Sequence, residues 1–273
     1  MSNWFAYDGH NIFTFDDTNI IVMKEEVVVV YQTLANAPIT EALIDIKIRI
    51  KDDFDLNRLQ SLYAFISDTY PDKKPQQKWE SKLEFKPDGP ITTTSGGQVF
   101  GYVFNSADKK QIFQAKLDGF TFNRLKPYDT WESFRNEAKR LWQFYSQLMA
   151  AEITRVAVRY INRFNIPLPI KDFNEYLVAA PIVPDILPQG VFSFLTRVVI
   201  VNPEINANAI ITQALEQAKE PSSVPIVLDI DAFRYNREGI KEEEAWVLLE
   251  KLRDFKNDIF FSSITDKAKE LFR

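Results

Sequence analysis

The sequence predicts an α+β protein of two tandem β-α-β-β-β-α units, and three observations carry that reading. Segments of strict apolar–polar alternation recur along the chain, as half-buried strands require. Two long stretches of helical periodicity, 128–149 and 242–260, close the two halves and begin near Trp131 and Trp246. The pentapeptide FTFNR (120–124) returns as FRYNR (233–237), each behind a Leu-Asp pair and at the same place in the order of elements.

The elements follow in order. Residues 1–33 read as a leader, 1–22, plus one apolar strand in VVVVY, and Met23 marks an alternative start because the regular pattern begins after it. ALIDIKIRI (42–50) alternates with Ala42, Ile44, Ile46, Ile48 and Ile50 on one face. DLNRLQSLYAFISDTY (55–70) carries Leu56, Leu59, Leu62, Tyr63 and Ile66 at helical spacing behind Asp55 as N-cap, and Pro71 ends it. Strands follow at 78–86, 98–105 and 111–125, with Gly96-Gly97 and SADKK as turns. The helix 128–149 starts at a cap on Asp129 or Thr130 and buries Trp131, Phe134, Ala138, Leu141, Trp142 and Tyr145.

The second half repeats this plan. Strand 152–164, short helix 171–178, strands 191–201, 207–215 and 224–235, and helix 242–260 run in matching order, and KDDFDLNRLQSL (51–62) parallels KDFNEYL (171–177). The expected organisation is a leader and extra strand over 1–33, a first unit over 34–150 and a second over 151–273. Between strand and short helix, and beyond it, 165–190 holds five of the fourteen prolines, which excludes central strand and helix interior and predicts a rigid surface loop.

The chain has 273 residues, 45% of them hydrophobic, enough for a sizeable core. With no cysteine, disulfides, thiolate metal sites and cysteine nucleophiles are excluded, and the composition suits a reducing cytoplasm. His10 is the only histidine, so a histidine general base or triad would have to rest on that one residue, and a multi-histidine metal site has no material. The net charge of −5 opposes general attraction to nucleic acid. No apolar run approaches the roughly 20 residues of a membrane span, and the N-terminal segment lacks the pattern of a secretion signal.

Two constellations could carry chemistry. Asp229 and Asp231 share one strand face with Phe233 and Tyr235, and Glu41 shares a face with Asp45. With Asp118 these carboxylates supply the oxygen ligands a two-metal phosphodiesterase or nuclease needs. On a second strand Arg155, Arg159 and Arg163 share a face, either as an anion site or as partners of those acids; neighbouring strands 42–50 and 153–164 favour an internal ion-pair network with Glu41 and Asp45. The aromatics Phe100, Tyr102, Phe104, Phe120 and Phe122 form either core or a stacking platform for single-stranded nucleic acid. Phe255, Ile259, Phe260 and Phe261 continue an apolar face to the end of the last helix, which either closes the core or binds a second subunit. No glycine-rich phosphate loop, nucleophile elbow, HExxH or calcium loop is present, so no catalytic residue, cofactor or metal site is assigned.

LANAPITEALIDI (34–46), LDGFTFNRLKPYDTWESFRNEAKRLW (117–142), RYINRF (159–164) and LRDFKNDIFFSSIT (252–265) resemble an uncharacterised, sporadically distributed bacterial family of similar length, from residue 34 to the C-terminus. The resemblance implies no reaction and no catalytic residue. Its patchy distribution implies mobile genes, of the kind that carry phage-defence or toxin–antitoxin modules. The expected architecture is a curved antiparallel sheet with the long helices on one face, analogous to the TATA-binding-protein or helix-grip folds. The expected function is non-catalytic: a cytoplasmic binding or regulatory protein that holds a partner protein or ligand on its open sheet face and proline-rich loop. Metal-dependent phosphodiester hydrolysis and single-strand nucleic-acid binding are the alternatives.

Overall fold

The computed structural model describes residues 5–7, 12–16, 19–23, 34–50, 56–84, 92–149, 151–218 and 221–273. His10, the VVVVY strand and the Asp55 cap lie outside the described residues. Residues 1–33 and 34–273 form two compact units. The first contains a three-stranded antiparallel sheet of β1 (Phe5–Tyr7), β2 (Ile12–Asp16) and β3 (Asn19–Met23), so the segment read as a leader has strands of its own.

The second unit is α+β, with one nine-stranded antiparallel sheet. Its centre is the pair β4 (Ile39–Ile50) and β9 (Ala151–Pro167), registered with Ile44 opposite Val158. From β4 the sheet runs outward through β8 (Gly119–Leu125), β7 (Gln111–Lys116), β6 (Thr92–Asn105) and β5 (Asp72–Glu84). From β9 it runs the other way through β12 (Ser223–Ile240), β11 (Ala207–Leu215) and β10 (Leu195–Asn202). The halves divided at residue 150 therefore share one continuous sheet.

Alternation builds the core. Ala42, Ile44 and Ile46 of β4 and Val156, Val158 and Tyr160 of β9 are fully buried on one face, with Ile226, Leu228, Ile230 and Ala232 of β12 beside them. Onto this face pack α3 (Trp131–Leu148) and α4 (Glu242–Ser263). Thr130 caps α3 by accepting from the Ser133 amide at 3.2 Å, while α4 has no side-chain cap and instead places Glu242, Glu243 and Glu244 in its first turn, where the helix dipole favours anions. Glu250 ties the helices together by accepting from Trp131 Nε1 at 2.7 Å and from Arg135 at 2.5 Å. A short helix α5 (Asp266–Glu270) ends the chain.

Several expectations need correction. The strand over 111–125 is a hairpin: β7 and β8 turn at Leu117 and Asp118, and a Cβ on Gly119 would lie 2.6 Å from the Ile46 carbonyl oxygen. The Asp-Gly pair was a turn signal inside a strand-like run. Gly96 and Gly97 are not a turn but lie within β6. The helix over 55–70 is two short pieces, α1 (Leu56–Gln60) and α2 (Tyr63–Ile66), because bonds to the third preceding residue tighten the chain at Ser61 and Leu62 and the Ser61 hydroxyl bonds the Arg58 carbonyl. The helix over 171–178 is a single tight turn at Phe173–Glu175.

The repeated pentapeptides occupy β8 and β12, strands with the same place relative to β4 and β9, yet they face opposite ways. Phe120 and Phe122 are buried among the helices, whereas Phe233 and Tyr235 lie on the other face, where Arg155 sits 4.6 Å over the Phe233 ring. The Leu-Asp pairs differ as well, one being a hairpin turn and the other the middle of β12. A one-residue slip in a strand exchanges the two faces, so the pentapeptides do not superpose by role.

Candidate functional site

The face of the sheet away from the helices carries most of the charge singled out in the sequence. Strand alternation puts Asp45 of β4, Arg155 and Arg159 of β9, and Asp229 and Asp231 of β12 there, and the registers set them side by side. Arg155 bridges both flanking strands, donating to Asp45 at 2.9 Å and to both oxygens of Asp231 at 3.1 and 2.9 Å. Arg159 forks onto Asp229, at 2.8 and 2.5 Å. Burial raises the Asp231 carboxyl above its usual range even though Arg155 and Arg159 oppose the shift.

The network continues through neutral groups. Thr121 of β8 donates to Asp45 at 2.7 Å and accepts from Lys116 at 2.6 Å, and burial lowers the Lys116 amine against the pull of Asp45. Glu41 accepts from Asn123 at 2.5 Å; Asn123 accepts from Gln114, which accepts from Gln76 on β5. Gln76 is registered opposite Gly101 of β6, and the missing side chain there lets it reach β7. Arg163 Nε lies 2.9 Å from Glu216, at an angle that leaves this buried donor without a hydrogen bond.

This arrangement distributes the five candidate carboxylates. Asp45, Asp229 and Asp231 are each held by arginine, Glu41 is bound by an amide, and Asp118 sits at the β7–β8 turn paired with Lys47 at 2.9 Å. Among the described residues no group of three His, Cys, Asp or Glu side chains is disposed to hold a metal ion. Of the five aromatics of the expected platform, Phe104, Phe120 and Phe122 are fully buried in the core, on the face of the sheet opposite Arg155 and Arg159, while Phe100 and Tyr102 are partly buried. Ile259 and Phe260 are buried in the chain's own core, with the partly buried Phe255 and Phe261 packed against it.

What remains unpaired lies at one edge of the sheet. Within the described residues β10 has no neighbour on its outer side, and all eight of its residues pair with β11 without a bulge. Leu195 is 73% exposed, Val199 52% and Val201 70% on one face, with Val198 exposed on the other. The proline-rich loop leading into this strand adds Ile182, Ile186 and Phe192, each at least 87% exposed. Its start is anchored, because Leu177 bridges to Ile264 and the Val178 amide donates to the Ser263 carbonyl at 3.0 Å. Beneath the end of the loop lies a cavity of about 760 Å³, bounded by Ile170, Phe173, Val191, Phe192 and Leu215. Sequence reasoning placed the strand and the loop but missed the edge; the signal was the run LTRVVIV, apolar on both parities with a single charge.

Comparison of the chain with protein-family models and with curated proteins yields no match. Among the described residues no helix is long and apolar enough to cross a membrane.

Proposed function

We propose that this protein is a non-catalytic binding or regulatory protein that receives an extended segment of a partner protein along β10. The observation that carries this reading is the β10 edge, which among the described residues has no outer neighbour and presents a row of unpaired backbone groups flanked by exposed Leu195, Val198, Val199 and Val201. Exposed edges of this kind are the template for strand addition, in which main-chain hydrogen bonds supply affinity and alternate side chains supply selectivity. Ile182, Ile186 and Phe192 of the loop extend the apolar surface beside the incoming strand, and the cavity under Phe192 accepts a partner side chain. The cysteine-free composition fits a reducing compartment, and the family resemblance adds the expectation that the partner is encoded beside this chain, as in defence and toxin–antitoxin pairs.

The sheet order also supports reading residues 34–273 as an internal duplication, analogous to the TATA-binding-protein or helix-grip architectures. Its support is the mirrored succession β4-β8-β7-β6 and β9-β12-β11-β10 with a long helix after each half, rather than the pentapeptides.

The test compares the parent with a Val199→Lys, Val201→Lys double variant as bait, with amide hydrogen exchange on the recovered complex and light scattering on each protein alone. A partner held by the parent, lost by the variant and protecting the β10 amides supports the proposal. Self-association abolished by the variant replaces the partner by a second copy. A partner retained by the variant rules out the edge.

A further inference from the structure

A second recess lies on the helix side, between the turn after α2, the ends of β7 and β8 and the first turns of α3, with a volume of about 620 Å³. At its wall stands Arg124, half-buried on the face that Phe120 and Phe122 share. Among the described residues no carboxylate or hydrogen-bond acceptor engages it. Other arginines in shielded positions are paired: Arg155 and Arg159 with aspartates, Arg135 with Glu250, Arg234 with Glu244.

The one acid in the recess is already committed. Glu137 takes a fork from Arg140 at 2.8 and 2.7 Å and lies 2.7 Å from the Tyr70 hydroxyl, which burial and Glu137 together hold protonated well above the usual tyrosine range. Asp108, in the β6–β7 turn, feels the charge of Arg124 but bonds Ser106 and the Lys110 amide instead. One guanidinium charge is therefore left over inside a protein of net charge −5.

The remaining lining is rich in donors. Ser133 offers a hydroxyl, and Asn136, whose carbonyl end faces the Arg135 guanidinium at 3.1 Å, keeps its amide hydrogens free to donate. Beneath these groups Phe122 and Phe134 stack on each other with ring centroids 5.4 Å apart, both buried. A guanidinium beside neutral donors matches an oxyanion.

We infer that this recess binds a small oxyanion, a carboxylate or a phosphate, whose charge pairs with Arg124 beside the Ser133 hydroxyl and the Asn136 amide. The site is separate from the β10 edge and does not depend on the partner-binding role.

Calorimetric titration with benzoate, phenyl phosphate and inorganic phosphate tests it. At least one of the three should bind the parent, and the tightest identifies the ligand class. Arg124→Gln should weaken that binding by at least about tenfold, the worth of one charge-assisted hydrogen bond. Because the half-buried charge has no partner, Arg124→Gln should keep the parent's melting temperature; Arg124→Lys, which retains charge without the fork, serves as the second variant and should bind with intermediate strength. Val199→Lys with Val201→Lys should bind the probes as the parent does, which separates this result from the fate of the edge proposal. Absence of binding by all three probes at millimolar concentration, or equal binding by Arg124→Gln, overturns the inference.

Discussion

The centre of the sheet and its β10 edge are built from the same antiparallel ladder, yet they treat their leftover valences in opposite ways. At the centre, Arg155 takes two carboxylates from two strands and Arg159 takes a third, so the charge of the sequence is consumed by the fold. At the edge, among the described residues, β10 keeps a free row of backbone groups and exposed apolar side chains. The far edge shows that this is a choice. β5 opens with Asp72, Lys73, Lys74 and Pro75 and carries a register shift between Gln76 and Gln77, the charge, proline and bulge that blunt an edge against pairing. Charge does not mark the surface proposed for binding in this molecule; unsatisfied valence does.

The largest way to test that contrast is at the centre. Arg155→Ala leaves Asp45 and Asp231 facing each other without their shared cation, and breaking a buried pair costs about 3–5 kcal/mol. Asp231, already raised above the 3.8 of a free aspartate, should rise further. A folded-state pKa above the unfolded one means that the native protein holds extra protons, so stability falls as pH rises through that window. Chemical denaturation of the variant should accordingly show a smaller deficit near pH 4 than at pH 8. A deficit below about 1 kcal/mol at neutral pH would show that the network is solvated rather than structural.

Lys256 is where the centre is not closed. It points from α4 into the core, its amine 3.7 Å from the centroid of the Tyr160 ring, and burial, with the charge of Arg253 adding, lowers it to about 7. The unfolded lysine titrates near 10.5, so the unfolded state binds more protons between those values and stability should rise with pH from about 7 to about 10.5. Lys256→Met should stabilise by about 1–4 kcal/mol at pH 7 and below, with a gain that shrinks toward pH 10. Denaturant titrations at a series of pH values check this, and a gain independent of pH would assign the effect to packing alone.

Arg159→Ala should cost less, about 1 kcal/mol, because the arginine side chain is 43% exposed and water can replace it at Asp229, which is 17% exposed. Thermal melts of Arg155→Ala and Arg159→Ala side by side measure the difference, and equal losses would show that burial does not set the strength of these pairs. The smallest effect belongs to the edge. Val199→Lys with Val201→Lys places charge on exposed positions and should change stability by no more than about 0.5 kcal/mol while abolishing capture of the partner. A large loss of stability would mean that β10 is covered within the native protein.

The sequence by itself determined which residues alternate, and hence the buried face of β4 and β9, the stripe of α3 and the alignment of Arg155 and Arg159 on one side. These are properties of a two- or 3.6-residue period, and a period is local. The same local reading failed at Leu117 and Asp118, because a two-residue turn leaves strand-like residues on both sides, and at FRYNR, because identity of letters carries no information about which face a register presents. Lys256 was legible in principle, as a charge on the stripe of Leu252 and Ile259. Pairing partners were not: Asp231 meets Arg155 only because β12 lies beside β9, and among the described residues Arg124 lacks an acid because of which side chains α3 turns toward the sheet. Edges belong to the same class, since LTRVVIV is an edge only by virtue of strand order, and strand order is settled by contacts between segments distant in the chain.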